Sequence, residues 1–366
     1  MLFYLSYFSE RFFPLNVFKY VTFRSLGAAV TAFLLTLLIG PMVIRMLRRL
    51  KLGQPIRQKE EVHQLAELHG AKAGTPTMGG MMILLTVTIS SLLWVELSNS
   101  FLWLTLTAML LMGLLGFWDD FKKIRKKESG GISSRNKFIW QILIAAGVGV
   151  FLLLNPATME RALELQVPFL KEPVVSDLGW LALFFIILVI VGSSNAVNLT
   201  DGLDGLAVGC TTSVACVYAV FSYLAGHSKT ASYLFLPYVP GAGELAVFCA
   251  ALAGASLGFL WFNCHPARVF MGDTGSLAIG GSLAVVAVCI KQELLLALVG
   301  GVFVMEALSV ILQVASFKLT GKRIFAMSPL HHHFELRGWS ETAVVVRFWI
   351  LGLVFALLGL AMLKLR

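Results

Sequence analysis

Charge is what this chain has least of. Of its 366 residues only 13% are Asp, Glu, Lys or Arg, while 58% are hydrophobic, and the mean hydropathy is +0.82. Soluble globular chains average about 25% charged and about 45–50% apolar, so a water-soluble globular domain is excluded. Cysteine is scarce too. Cys210, Cys216, Cys249, Cys264 and Cys289 form no Cys-x-x-Cys pair and sit mostly inside apolar stretches. That pattern excludes a disulfide framework or a cysteine-rich zinc site and leaves small buried hydrophobes. Also missing is the basic start, short apolar stretch and small-residue cleavage site of a secretory leader. Residues Leu2–Phe23 are instead aromatic and broken by Glu10, Arg11, Pro14 and Lys19, which reads as an amphipathic segment lying along an interface.

What the chain has in quantity is long apolar runs. They cover roughly Leu26–Ile44, Met78–Val95, Phe101–Trp118, Phe138–Leu154, Leu178–Val197, Leu203–Leu224, Leu245–Phe262, Met271–Ile290, Leu294–Phe317 and Thr342–Leu363. Most approach the ~20 residues that cross ~30 Å of hydrocarbon. Runs without alternation satisfy their backbone only as helices, not as barrel strands. The expectation is an all-α polytopic membrane protein with about ten transmembrane helices in one domain, residues 1–366.

Lys and Arg mark the cytoplasmic side of such proteins. Arg45, Arg48, Arg49, Lys51, Arg57, Lys59 and Lys72 follow the first run; Lys122, Lys123, Arg125, Lys126, Lys127, Arg135 and Lys137 follow the third; Lys318, Lys322, Arg323 and Arg337 follow the ninth. The connections after the second and eighth runs have only Lys291, and those after the fourth and sixth only Arg161, Lys171 and Lys229. Odd connections are therefore expected in the cytoplasm and both termini outside.

The unusual polar residues obey the same parity. Gly74-Thr-Pro-Thr-Met-Gly-Gly80 follows the first run, Asp119-Asp120 ends the third, and Asn195-Ala-Val-Asn-Leu-Thr-Asp-Gly-Leu-Asp-Gly205 follows the fifth. The stretch from Asn263 to Ser276 follows the seventh, and His331-His-His-Phe-Glu335 the ninth. Charged side chains at such depth are costly in lipid and mark function. Five connections converging on one face is the pattern of an active site. The formal charge of +9 collects on that face. It orients the chain and attracts anionic headgroups, and it would also steer a multiply anionic substrate. The basic loops are short and tied to lipid-embedded helices, which argues against a nucleic-acid surface.

Carboxylates, amides and glycines on a cationic face suit phosphate and a hard cation. Mg²⁺ is usually held by one or two carboxylates together with substrate phosphate oxygens. Asp273, in Phe270-Met-Gly-Asp-Thr-Gly-Ser276, opens a helix between two glycines; it reads as a metal ligand beside a diphosphate or as a helix N-cap. Asp119 and Asp120 point about 100° apart on a helix, so one faces the site while the other pairs with Lys122 or Lys123. Asp201 and Asp204, three residues apart, could share a helical face as metal ligands or bind a sugar or base. Of His331, His332 and His333, one or two are read as contacting phosphate. Glu306 and Gln313 line a polar cleft or bond between helices.

These five blocks, in order along nearly the whole chain, resemble the signature blocks of the phospho-N-acetylmuramoyl-pentapeptide transferase family, a branch of the polyprenyl-phosphate N-acetylhexosamine-1-phosphate transferases. The resemblance implies transfer of phospho-N-acetylmuramoyl-pentapeptide from UDP to undecaprenyl phosphate with Mg²⁺. The products would be lipid I and UMP, in the bacterial inner membrane, for peptidoglycan synthesis. By motif position it implies Asp273 as the Mg²⁺ ligand, Asp119 beside the polyprenyl phosphate, and Asp120 supporting one of them. It places His332 in the catalytic group, and Lys72, Thr77, Asn198, Asp201, Asp204, Asn263, Phe270, Gln313, His332 and His333 at the nucleotide substrate, with Phe270 suited to stack on uracil. The segment Gln58–His69 departs from the family, which usually has a shorter stretch containing Asp-Gly-Pro there.

An acceptor phosphate is already anionic and needs charge neutralisation and in-line positioning more than a base. Direct attack is favoured, with covalent catalysis by Asp119 or Asp120 as the alternative. The competing readings are a sister enzyme using UDP-N-acetylglucosamine, a prenyltransferase on the strength of Asp201-Gly-Leu-Asp204, and a secondary transporter. The absence of an internal repeat and of a second Asp-x-x-Asp speaks against the last two. A homodimer is left open.

Overall fold

The structure is a computed structural model describing residues 1–50, 74–126 and 131–365. Two 3₁₀ helices, Leu2–Phe8 and Phe13–Lys19, precede α1 (Val21–Arg49). Then come α2 (Gly80–Trp94), α3 (Ser100–Lys126), α4 (Ser134–Leu154), the short α5 (Met159–Leu163), α6 (Leu181–Thr200), α7 (Leu206–Ala225) and the short α8 (Ser228–Tyr233). The chain continues through α9 (Gly243–Asn263), α10 (Gly272–Cys289), α11 (Glu293–Val299), α12 (Gly301–Thr320), α13 (Leu330–Leu336) and α14 (Glu341–Ala361). Among the described residues nine helices are long and apolar enough to cross a membrane, and there are no strands.

The second apolar run forms a helix shorter than the nine long ones. Its helix, α2, has 15 residues, about 22 Å at 1.5 Å per residue. It begins only at Gly80 because Thr77–Gly79 are drawn into a loop, where Met78 adopts φ 71° and Gly79 N–H donates to Phe270 C=O at 2.8 Å. The ninth run is not one helix either. It breaks at Gly300 into α11 and α12. Lys291, a stray cation on an outer connection in the sequence, is buried there and paired with Glu293 at 2.6 Å.

α10 lies at the centre, almost wholly buried, and packs on α2, α3, α6 and α7. In lipid, helices associate through close packing of small residues and interhelical hydrogen bonds rather than through a hydrophobic drive. α10 supplies both. Ser193 on α6 donates to Gly280 C=O at 2.8 Å, and Ser194 to Leu277 C=O at 3.1 Å. A Cβ on Gly116 of α3 would collide with the Asp273 carbonyl, so glycine there lets α3 lie directly on the start of α10. At the other end of the bundle Arg24 and Glu244 form a buried two-pronged ion pair at 2.6 and 2.7 Å. The first residues fold over that end, with the Met1 ammonium donating to the Leu92 and Leu93 carbonyls at the C-terminus of α2 and so complementing its dipole.

Large apolar side chains such as Leu38, Phe184, Leu188, Ile350 and Leu357 stand exposed on the outer faces. Water would reject so continuous an apolar surface; the hydrocarbon of a bilayer would not.

Candidate functional site

The polar blocks meet at one end of the bundle. Asp119 and Asp120 lie in the penultimate turns of α3, Asp273 in the first turn of α10, Asn198 in the last turn of α6 and Lys137 in the first turn of α4. Asp119, Asp120 and Asp273 each offer a carboxylate oxygen within 4.8 Å of the others. Two ammonium groups reach into this cluster. Lys123 Nζ is 2.7 Å from Asp119 Oδ2 and 3.0 Å from Asp273 Oδ2; Lys137 Nζ is 2.6 Å from Asp273 Oδ2 and 3.7 Å from Asp119 Oδ2. Three buried or half-buried carboxylates so close together repel one another strongly, and the lysines supply the charge that holds them.

The two adjacent aspartates divide their tasks as helical geometry requires. Asp119 faces the lysines, and its Oδ1 accepts the Ile132 N–H at 2.6 Å, tying the α3–α4 connection over it. Asp120, 4% exposed, faces α10 instead. Its Oδ2 accepts Thr274 N–H at 3.0 Å and the Thr274 hydroxyl at 2.8 Å, and its Oδ1 accepts Asp273 N–H at 3.3 Å. It therefore caps α10 from another helix, satisfying the free N–H groups that every helix start presents. Gly272 approaches with φ 73°; a Cβ there would lie 2.6 Å from Asp120 Oδ2 and 2.9 Å from Thr77 Oγ1. Asn198 Nδ2 donates to Asp273 Oδ1 and to Ser276 Oγ, each at 2.8 Å, and fixes the Asp273 carboxylate from the side away from the lysines.

Asp201 lies beside this cluster and accepts the Gly272 N–H. Burial, followed by the negative charges of Asp273 and Asp120, raises its carboxyl to about 8, against the pull of that hydrogen bond. Asp204 occupies a second polar group rather than sharing the face of Asp201. Its Oδ2 accepts the Ala267 N–H at 3.0 Å and lies 3.1 Å from His265 Nδ1, while Glu341 Oε1 accepts the Asp204 N–H at 2.9 Å. Asn263 is a staple: its Oδ1 accepts Gly205 N–H at 3.1 Å and its Nδ2 donates to Val269 C=O at 2.9 Å. Phe270 is half-buried, its backbone paired with Pro76 in the loop that carries the buried Thr77. Lys72 lies outside the described residues.

The three histidines point three ways. His331 is fully buried, with Nδ1 3.2 Å from Glu306 Oε1 and Nε2 packed against Gly202. His332 Nδ1 is 2.8 Å from Glu335 Oε2. His333 Nδ1 accepts the Ala326 N–H at 3.0 Å. Gln313 holds the same loop, accepting N–H groups of Ile324 and Phe325 at 3.0 Å and donating to Phe325 C=O at 3.1 Å. Sequence reasoning missed Lys137, Thr274, His265 and Glu341 as members of these groups. Lys123 was legible, four residues after Asp119 on one helix face.

Residues 102–291, which carry the Asp119–Asp120–Asp273 cluster, match the family model Glycosyl transferase family 4. The class is thus a helical transferase embedded in the membrane. Among similar proteins, the phospho-N-acetylmuramoyl-pentapeptide-transferase of Methylacidiphilum infernorum is 62% identical over 366 residues, all of both chains. Its namesakes in Desulfotalea psychrophila and Citrifermentans bemidjiense are 56% and 54% identical over 96% of each chain. The chain belongs to the phospho-N-acetylmuramoyl-pentapeptide-transferase family.

Proposed function

We propose that this protein transfers phospho-N-acetylmuramoyl-pentapeptide from its UDP conjugate to undecaprenyl phosphate, releasing UMP and forming lipid I, the first membrane step of peptidoglycan synthesis. Full-length identity of 62% to a protein of that name carries the reading, and the charge arrangement of the site suits it. The whole chain acts as one unit in the bacterial inner membrane. The basic connections put the polar end in the cytoplasm and both termini outside.

In the reaction an oxygen of the acceptor phosphate attacks the β-phosphorus of the donor. The new phosphoanhydride forms as the bond to UMP breaks, and the electron pair leaves with UMP. Lys123 and Lys137 offset the accumulating phosphate charge. Asp119 orients the acceptor and takes its residual proton. Asp120 acts by holding the start of α10, and with it Asp273, in place. Thr77, Asn198, Asp201, Asp204, Asn263, Phe270, Gln313, His332 and His333, together with Lys72, form or brace the nucleotide end.

The three clustered carboxylates fit a hard divalent cation, since all their donors are oxygens and the two ammonium groups offset only part of their charge. Asp273, with Asp119 beside it, would hold Mg²⁺. When bound, the ion would neutralise the diphosphate and orient it for displacement.

The test is competition between donors. Purified protein in detergent, given undecaprenyl phosphate and Mg²⁺, should form lipid product from the UDP-muramoyl-pentapeptide and none from UDP-N-acetylglucosamine. Product from the latter alone would move the chain to the sister branch.

A further inference from the structure

One buried ionisable pair has no part in the chemistry above. Glu306 on α12 and His331 at the start of α13 are both fully buried, with ring Nδ1 3.2 Å from Glu306 Oε1. A buried carboxylate and imidazole cost more than two apolar side chains of similar size would, and a charge within a membrane helix marks function. Glu306 Oε2 and His331 Nε2 also lack hydrogen-bond partners among the described residues, which adds to the cost. Holding α12 against α13 does not account for such a pair, because an apolar contact would do that as well. Hydrogen bonds are directional where apolar contact is not, so the pair fixes an orientation.

What it orients is the nucleotide end. α13 has no side-chain cap of its own, and Glu306 Oε1 accepts the His331 N–H at 3.2 Å, one of the free donors of that helix start. The carboxylate therefore faces both the backbone and the ring of His331. On the other side of the ring, Nε2 packs against Gly202, in the turn between Asp201 and Asp204. The ring also lies on that of His332, with centroids 4.2 Å apart. The far end of the turn is held elsewhere: Asn263 accepts the Gly205 N–H, and Trp349 Nε1 donates to the Gly205 C=O at 3.1 Å. Its near end meets His331. One side chain thus touches both the turn and His332, and Glu306 sets where that side chain stands.

We propose that Glu306 and His331 are positioning residues for the donor. The pair fixes the Asp201–Gly205 turn and His332 relative to each other, and so sets how tightly the nucleotide end takes the UDP donor. The inference rests on the transfer reading above, which places Asp201, Asp204 and His332 at the donor. It adds two residues that act through those groups. Asp119, Lys123, Lys137 and Asp273 are held by their own ion pairs, so the pair should act on donor binding and leave acceptor binding alone.

The test replaces the pair with apolar side chains. Glu306→Leu combined with His331→Leu removes both ionisable groups and both unpaired atoms, so its unfolding temperature should match or exceed that of wild type. Its KM for the UDP-muramoyl-pentapeptide should still rise about tenfold, the loss of one well-placed hydrogen bond to the donor. The KM for undecaprenyl phosphate and kcat at saturating donor should stay within about twofold of wild type, since neither depends on the donor's binding contacts. Glu306→Gln keeps an acceptor for the His331 N–H and should fall between. Calorimetric binding of UMP needs no turnover and should weaken in the same order.

A well-folded double variant with wild-type donor KM and UMP affinity would overturn the proposal. Equal losses in kcat and in both KM values would overturn it too, since they report general distortion. Should the double variant not fold, the same split in Glu306→Gln decides. If the wild type transfers only from UDP-N-acetylglucosamine, the donor named above is wrong, and the split measured with that nucleotide decides the role of the pair. A wild type that binds no uridine nucleotide would sink the transfer reading and this proposal together.

Discussion

Asp120 makes its hydrogen bonds to the start of α10, with Lys123 Nζ no nearer than 3.9 Å to its Oδ1, and this makes a quantitative prediction. Its carboxylate accepts three hydrogen bonds, two from Thr274 at 3.0 and 2.8 Å and one from Asp273 N–H at 3.3 Å. Hydrogen bonds to a buried charged group are worth about 1.5–3 kcal/mol each, and stranded buried donors add to the loss when it goes. Asp120→Ala should therefore destabilise the protein by about 3–5 kcal/mol, allowing for partial relaxation and the long 3.3 Å bond. Activity should fall about a hundredfold, because a shift of about 1 Å in a reacting group costs that much. Thr274→Val removes only the hydroxyl at 2.8 Å. It should cost about 1–2 kcal/mol in stability and about tenfold in rate.

The two effects should not add. If Asp120 works through Thr274, adding Thr274→Val to Asp120→Ala should cost far less than the same change in wild type, with a coupling energy of about 1 kcal/mol or more. Thermal unfolding in detergent and initial rates of UMP release at saturating donor measure the two quantities. Full additivity, or an unaltered rate in Thr274→Val beside an inactive Asp120→Ala, would refute the cap and leave Asp120 acting directly on substrate or metal.

Glu244→Ala should destabilise by about 3–5 kcal/mol, since it strands buried Arg24; the site lies about 28 Å away along α9, so the rate per folded molecule should be unchanged. Asp201 has a folded value of about 8 against its ordinary 3.8, so its ionisation opposes folding. That cost is absent below the ordinary value, grows as pH rises between the two, and is full above the folded one. The melting temperature of Asp201→Asn relative to wild type should accordingly be higher above pH 8 than near pH 5, and an advantage that shrinks with rising pH would contradict the shift. Gly202→Ala would push a methyl into His331 Nε2 and displace α13; it should depress turnover and unfolding temperature together, whereas Gly192→Ala, where a Cβ meets nothing, should be silent in both.

Much of this was legible in the sequence because lipid imposes simple rules. Long apolar runs must be helices, and the parity of polar blocks among them brought Asp119, Asn198 and Asp273 to one end before any coordinate was known. Adjacent positions on a helix anticipated different partners for Asp119 and Asp120, one of them Lys123, but not that the lysine-paired Asp119 would sit in the cluster while Asp120 caps α10. What was not legible depends on packing between distant segments. Nothing in the order of residues says that Lys137 reaches Asp273, or that Glu341 meets Asp204 across a large stretch of chain. The shared face read for Asp201 and Asp204 failed because Asp201 to Gly205 form a turn, not a helix. Gln313 and Asn263, expected at the nucleotide, are engaged in bracing loops.

The most direct single measurement compares wild type with Asp273→Asn at matched amounts of folded protein, following radiolabelled donor into both UMP and lipid product with undecaprenyl phosphate and Mg²⁺ present. We predict that both products fall together by about 10²–10³-fold, the loss typical when stabilisation of transition-state charge is removed, here that of the cation Asp273 would hold. Near-normal lipid product from Asp273→Asn would contradict the placement of the reaction at this cluster.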